Sequence, residues 1–416
     1  MSVRVLVIGG GIGGLCLAHG LRATGADVRV YERGHTRDDW LQGYRIHISP
    51  AGSAALHACL PAAQWSAFEA GVADPGSGDV FAFRDEQLRT LVSIPAELLA
   101  GDPADPVARH RSVSRIRLRG VLLGGLDDVM EYGREFVRYE LAPDRRVTAH
   151  FADGSSAAGD VLVGADGANS RVRQQYLPHA RRVDTGVLAV AGKHPLPGPQ
   201  PLPDPLLVAP NNIVPPRSSW MFTAPWRAGA PVPGQPVDDE QDYLLWSYAA
   251  ATDRFPSDVL DRDGAALMRL VLECTASWSP DIRTMVADSD PSTVAALPLR
   301  TMLPVEPWPA SPVTLIGDAI HNMTPMAGVG ANTALRDAAL LAQRLGAAGP
   351  DGLVAAIAGY EREMLDYGFA AVRTSLRNAR QAASDRRLPR ALFTTVLRTA
   401  EAVPAMKRRM FAGMGN

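Results

Sequence analysis

Residues 1–33 read MSVRVLVIGGGIGGLCLAHGLRATGADVRVYER. Val3–Ile8 is a short aliphatic run with strand character, Ile12–Ala23 carries its apolar residues at helical spacing, and Val28–Tyr31 reads as a second strand ending at Glu32. A strand–helix–strand unit of this length requires a parallel sheet covered on both faces. Gly9, Gly11 and Gly14 form GxGxxG at the first strand-to-helix junction. The first glycine allows a tight turn, the second lets backbone approach a pyrophosphate, and the third permits close helix–strand packing. The helix N-terminus adds partial positive charge. Glu32, at the end of the second strand, is placed to accept hydrogen bonds from a ribose diol. The stretch therefore predicts a dinucleotide site, and leaves open whether the ligand is NAD or FAD.

The rest of the composition narrows the class. The chain of 416 residues suits about two domains, and 46% hydrophobic content is ample for a core. Forty-two basic against 44 acidic residues give a net charge of −2 with no basic stripe, which argues against a nucleic-acid partner. Cys16, Cys59 and Cys274 lie far apart, which argues against a disulfide framework or zinc site and suits a reducing cytoplasm. No apolar run approaches the roughly 20 residues that span a bilayer. A soluble cytoplasmic protein is expected.

Two later stretches repeat the strand-to-glycine pattern. In GDVLVGADGANSRVR, the strand Val161–Val163 runs into Gly164 and then Asp166-Gly167. In VTLIGDAIHNMTPMAGVGANTALRDAA, the strand Val313–Ile316 runs into Gly317-Asp318 and a Pro/Gly loop that opens a helix at Ala331–Leu345. Asp318 can accept a hydrogen bond from a ribityl hydroxyl or cap a helix. Asp166-Gly167 can serve a ligand or form a strand-end turn. The loop from Pro325 to Gly330 supplies glycines where a flat ring would meet backbone. The helix behind it aims N–H groups at that ring, which favours a cofactor that gains negative charge on reduction, and so FAD over NAD.

With GxGxxG, a DG motif and GD…P..G.G.N in this order over most of residues 1–345, the chain resembles the single-component FAD-dependent aromatic hydroxylases, the group A flavoprotein monooxygenases. The resemblance implies an α/β fold: a Rossmann-like FAD-binding domain with a parallel sheet, interrupted by a β-sheet substrate domain, and C-terminal helices. It implies FAD-binding segments at 1–75, 110–180 and 299–350, substrate-sheet segments at 76–109 and 181–298, and a helical region at 351–416. Cofactor contacts are expected from Gly9, Gly11, Gly13, Gly14, Glu32, Arg33, Arg45, Arg115 (in SRIRLR), Asp166, Asp318, Pro325, Gly328, Gly330, Ala331 and Asn332. His47 shares the face of Arg45, and His321 in GDAIH is expected to pack around the flavin loop rather than act as a base.

Between about 181 and 310, prolines crowd PLPGPQPLPDPLL, and SWMFTAPW and YLLWSYAA alternate like antiparallel strands. Trp220 with Phe222, and Trp246 with Tyr248, are expected to line the substrate pocket, against the plain alternative of sheet core. The implied activity uses FAD, NADPH or NADH as transient co-substrate, and dioxygen. It hydroxylates or epoxidises an aromatic or polycyclic small molecule through a C4a-hydroperoxyflavin, as in natural-product tailoring. The catalytic chemistry would be carried by the flavin with no catalytic side chain and no metal. An FAD-holding reductase or dehydrogenase, or a non-redox cyclase on the same fold, is the alternative. The Arg-rich C-terminal helices leave three readings open: packing across both domains, meeting a partner, or, as the default, a solvated charged face.

Overall fold

The computed structural model describes residues 2–36, 45–72, 79–95, 98, 105, 107, 109–144, 146–227 and 241–411. The turn-rich stretch ADPGSGD falls almost wholly outside them.

The opening unit forms as its pattern requires: β1 (Arg4–Ile8), α1 (Ile12–Ala23) and β2 (Asp27–Tyr31). Two further strands join β1 and β2 in the same parallel sheet, β11 (Val161–Gly164) and β17 (Val313–Leu315), with the short β7 (Met130–Glu131) at the edge. The order is β17-β11-β1-β2-β7. Ile8 pairs with both Gly164 and Tyr31, and Gly164 pairs with Leu315. The register thus brings the ends of β1, β11 and β17, and the motif that follows each, to one edge of the sheet. Continuous burial of Val5–Val7, Val161–Val163, Val313 and Leu315 explains why these strands are unbroken aliphatic runs. Leu15, Leu17 and Leu21 of α1 cover one face.

Around this sheet lie α2 (Pro50–Cys59), α3 (Ala62–Gly71), α4 (Arg115–Leu123) and a two-stranded ribbon of β3 (Arg45–Ile48) and β6 (Arg111–Ser114). A three-stranded sheet of β8 (Phe136–Leu141), β9 (Val147–Phe151) and β10 (Ser156–Gly159) leads into β11 and then α5 (Arg171–Tyr176). The ADGS turn closes a hairpin between β9 and β10, whose Ser-Ala-Ala-Gly composition carries little strand signal of its own.

The second large sheet has seven strands in the order β16-β12-β15-β14-β13-β4-β5. They are β4 (Asp79–Arg84), β5 (Thr90–Pro95), β12 (Arg182–Pro195), β13 (Asn211–Ile213), β14 (Ser219–Trp226), β15 (Tyr243–Ala251) and β16 (Ala295–Met302), with α6 (Asp204–Leu207) inserted before β13. One face packs on α7 (Gly264–Cys274) and α8 (Pro280–Ala287) through Leu188, Val190, Trp246, Leu267, Val271 and Ile282. After β17 come α9 (Asp318–His321), α10 (Gly330–Gly346), α11 (Leu353–Ala383), α12 (Arg387–Ala402) and α13 (Pro404–Phe411). Helix α11 joins the two sheets. Its Ile357, Tyr360, Met364 and Phe369 belong to the core of the parallel sheet, and Ala379 packs with Val187, Ala189, Ala249 and Leu299 of the larger one.

Candidate cofactor and substrate site

The three motifs meet. A Cβ added at Gly9 (φ +111°) would lie 2.4 Å from the Ala165 carbonyl oxygen, so the first and second motifs are in van der Waals contact. Gly13 faces Ala334 and Ile316, which brings in the third. The glycines differ in what they do. A Cβ on Gly14 would meet the Gly9 carbonyl oxygen at 2.2 Å, so this position is fixed by packing. Gly11 has nothing within 4 Å of that point, and the open space is cavity.

That cavity, about 2200 Å³, is lined by Gly9, Gly11, Gly13, Gly14, Glu32, Arg33, Arg45, Arg115, Asp166, Asp318, Pro325, Gly328, Gly330, Ala331 and Asn332, and also by His47, Trp220 and Phe222. Glu32 is buried, and its two oxygens accept from the Gly10 and Gly34 N–H groups at 2.7 and 2.9 Å. It therefore ties down the glycine turn and keeps further lone pairs facing the cavity. One oxygen of Asp166 accepts from the N–H groups of Arg171 and Val172, which makes it an end-group for α5; the other is buried without a partner among the described residues. Burial pushes its carboxyl pKa up, against the lowering effect of hydrogen bonds from Ser170 and the backbone. The turn reading of Asp166-Gly167 holds, with Gly167 at φ +76°, and the second carboxylate oxygen is left for the ligand reading.

Asp318 is not a helix cap. Gly317 (φ +60°) occupies the N-cap position of α9, and the Asp318 side chain is exposed on the cavity wall. Gly328 sits at φ +66° and a Cβ there would meet nothing, so the loop backbone is bare toward the cavity. Val329 makes no side-chain cap to α10, leaving the first N–H groups of that helix directed at the same space. Asn332 lines the cavity with its side chain already engaged. Its amide accepts from the Ser49 N–H at 2.8 Å and donates to the His47 carbonyl at 2.9 Å. Its side chain thus fastens the end of β3 to α10, and that placement answers to protein partners.

Arg45 donates to Ser112 Oγ at 2.9 Å, and its N–H donates to the Tyr243 hydroxyl, so β3 is held against both β6 and β15. Burial lowers its guanidinium to about 10, with the Tyr243 hydroxyl opposing. His47 lies 2.9 Å from His110 through ring nitrogens; burial, then His110 and Arg45, push it down to about 3, and it is neutral at physiological pH. Arg115 is lowered by burial and raised by Asp318, so these two sites sense each other across the cavity.

Sequence reasoning missed two residues. Arg119, one turn after Arg115, is buried and donates to the Gly10 carbonyl at 3.3 Å. Its spacing from Arg115 on SRIRLRG was the available signal. Asp337 sits fully buried inside α10, where one oxygen accepts from the Gly317 N–H (2.7 Å) and pairs with His321 Nε2 (2.6 Å), and the other accepts from the Tyr367 hydroxyl (2.5 Å). Burial opposes the charged form of His321, but Asp337 outweighs it and the pKa is raised. His321 is thus a buried strut of the third motif.

Trp246 and Tyr248 require correction. Register pairs Trp220 with Ala249 and Phe222 with Ser247, whereas Met221 faces Tyr248 and Thr223 faces Trp246. Strand alternation therefore puts Trp220, Phe222, Leu245 and Ser247 on the cavity face. Trp246 and Tyr248 point the other way: Trp246 donates to Ser289 Oγ at 2.7 Å, and Tyr248 packs on Phe255 and Trp278. They are core of the layer under α7 and α8.

The residues fit FAD. Two bare-glycine turns, an unpartnered buried carboxylate oxygen and an uncapped helix N-terminus open on one cavity. Its volume exceeds the roughly 300–1,000 Å³ of a drug-sized ligand pocket.

Comparison with known proteins agrees. The FAD binding domain family matches residues 142–375, and an NAD(P)-binding Rossmann-like domain matches residues 7–37. A crystal structure assigned to an FAD-containing monooxygenase from Photorhabdus luminescens is 41% identical, covers 92% of this chain and 99% of that one, and superposes with a TM-score of 0.81. Klebsiella pneumoniae HpxO in complex with FAD and uric acid shares the fold at 22% identity and a TM-score of 0.78, over 99% of this chain and 96% of that one. The dual O-methyltransferase/FAD-dependent monooxygenase elcB of Phaeosphaeria nodorum is 32% identical over 81% of this chain, which spans 39% of that relative's length. The chain belongs to the FAD binding domain family, that of the FAD-dependent aromatic hydroxylases.

Proposed function

We propose that this chain is an FAD-dependent monooxygenase that uses NADPH or NADH and dioxygen to hydroxylate or epoxidise an aromatic or polycyclic small molecule, in the cytoplasm and in natural-product tailoring. The observation that carries the reading is the convergence of three strand-end turns on one cavity that continues under the seven-stranded sheet. In this reading residues 1–75, 110–180 and 299–350 hold FAD, residues 76–109 and 181–298 form the substrate sheet, and 351–416 are the C-terminal helical region. When bound, FAD supplies hydride acceptance and oxygen activation.

The chain's own contribution is positional and electrostatic. Gly11 and Gly328 let ligand approach backbone, while Glu32 and Asp318 offer acceptors to hydroxyl groups. Arg115 and the start of α10 present positive charge, which stabilises negative charge developing on a bound ring. Trp220 and Phe222 cover the far side and exclude water. The monooxygenase name of the elcB relative supports the reaction type, and the uric acid bound by HpxO supports a flat ring-system substrate.

The test is NADPH consumption by the FAD-loaded protein with and without candidate aromatic substrates, with mass spectrometry of the product. Substrate-dependent consumption and a product heavier by one oxygen atom are expected. Reduction that never couples to oxygen insertion would refute the monooxygenase reading.

A further inference from the structure

We infer that the part of the cavity under the seven-stranded sheet is a chamber for an uncharged, planar, multi-ring aromatic molecule, and that α12 and α13 build its end wall. The inference rests on the flavoenzyme reading above and names its substrate class. Even a dinucleotide filling about 1,000 Å³, the upper end of small-molecule sites, leaves more than half of the 2200 Å³ cavity for a second molecule.

The wall is aromatic and comes from distant parts of the chain. The ring of Phe83 meets Trp220, Phe393 and Phe411 at centroid distances of 6.1, 6.0 and 6.5 Å, the first two edge-to-face, and all four rings line the cavity. Phe393 and Phe411 belong to α12 and α13, so the C-terminal helices complete a box that the sheet only begins. Such offset and edge-to-face surfaces suit flat π-systems.

The facing side is polar but uncharged. Thr374, Asn378 and Gln381 lie along one face of α11 on the cavity, and Asn378 donates to the Met326 carbonyl of the Pro/Gly loop at 3.3 Å. Among the described residues, none that the seven-stranded sheet or α11–α13 contributes to the lining is Asp, Glu, Lys or Arg. Of the lining cations, Arg45 stands beside β15, where it already donates to Ser112 Oγ. A carboxylate held against the sheet and α11–α13 would meet no cation on those walls and would carry a desolvation cost. Hydroxyl and carbonyl groups would find donors and acceptors. The chemistry points to an oxygenated polycycle and away from a single-ring acid.

The end wall is fixed in place by Arg390. Its guanidinium is buried and donates to four backbone carbonyls: Pro215 (2.9 Å) and Ser219 (2.8 Å) beside β14, and Gln381 (3.2 Å) and Ala382 (2.7 Å) at the end of α11. A rigid five-donor fork suits this better than a lysine would. Arg390 is a positioning residue that sets where Phe393 stands.

The experiment is equilibrium dialysis of the FAD-loaded protein against 1-hydroxyanthraquinone, a neutral tricycle, and against salicylate, a single-ring anion. The tricycle should bind about tenfold or more tighter. Phe393→Ala and the milder Phe411→Leu should each weaken it by about fivefold or more at unchanged FAD content, while Phe393→Trp retains it. Arg390→Lys should also loosen the tricycle with FAD retained. Equal or tighter salicylate binding, binding of neither probe, or variants that hold the tricycle as well as the parent would each overturn the inference. A protein that retains no FAD would instead overturn the flavoenzyme reading, so the two failures are told apart.

Discussion

Gly11 and Gly14 do different jobs three residues apart, and substitution separates them. Alanine at Gly14 would place a methyl 2.2 Å from a backbone carbonyl that cannot yield. Gly14→Ala should therefore cost about 2 kcal/mol or more, read as a fall in melting temperature. Gly11→Val puts its side chain into open cavity, so it should fold normally and weaken FAD binding by about tenfold, roughly 1.4 kcal/mol. An unchanged affinity would remove Gly11 from the proposed site. The motif glycines were legible because each answers a demand of local backbone geometry, whereas Glu32 was read as a ribose acceptor and its tie to the Gly10 and Gly34 N–H groups was not foreseen. Asp337 and Arg119 were not: a lone Asp in a helix, or a second Arg one turn on, acquires meaning only when a partner from another element arrives.

At the scale of elements, parity decided where the aromatics went. Alternation on β14 and β15 was readable, but which face of β15 meets the cavity depends on its pairing with β14, and register is a long-range property. Accordingly Trp246→Phe should lower stability by about 1–2 kcal/mol, through the hydrogen bond lost to Ser289, and leave substrate-dependent NADPH consumption unchanged. Trp220→Ala should raise the KM for substrate instead. The strut between α9 and α10 makes a pH prediction. The raised pKa of His321 means that its stabilising pairing with Asp337 is fully present below the ordinary value of 6.5 and is lost as pH rises through the folded value. His321→Gln should flatten that part of the thermal-stability profile; a profile identical to the parent's would count against the pairing.

Across the whole molecule, α11 is the element whose role the sequence left open, packing across both domains being one of the readings. A charged, helical stretch suggests a solvated face, yet one 31-residue helix joins both sheets, and the Arg-rich segment after it includes the buried Arg390. Its Glu361 is buried beside β17 and accepts from the Thr314 hydroxyl at 2.9 Å. Burial raises this carboxyl from 4.5 to about 7 against the lowering effect of that hydrogen bond. The folded protein holds the proton more tightly than the unfolded chain does, so stability is greatest below pH 4.5 for this group and declines as pH climbs through about 7. Its loss amounts to about 3 kcal/mol at most, and Glu361→Gln should abolish it, seen as a higher melting temperature at pH 8. The order of motifs gave away the α/β architecture because each βα turn is local. The end wall of the cavity was invisible because Phe83, Trp220, Phe393 and Phe411 meet only after the chain has folded over both sheets.

The central claim is that turns following β1, β11 and β17 converge on one bound FAD. Isothermal titration of the apoprotein with FAD, for the parent and for Gly11→Val and Asp318→Ala, tests it most directly. The account predicts one FAD per chain, with each variant weakened by about tenfold or more at an unchanged melting temperature. Full FAD affinity in both variants, or a parent that binds NAD in preference to FAD, would contradict it.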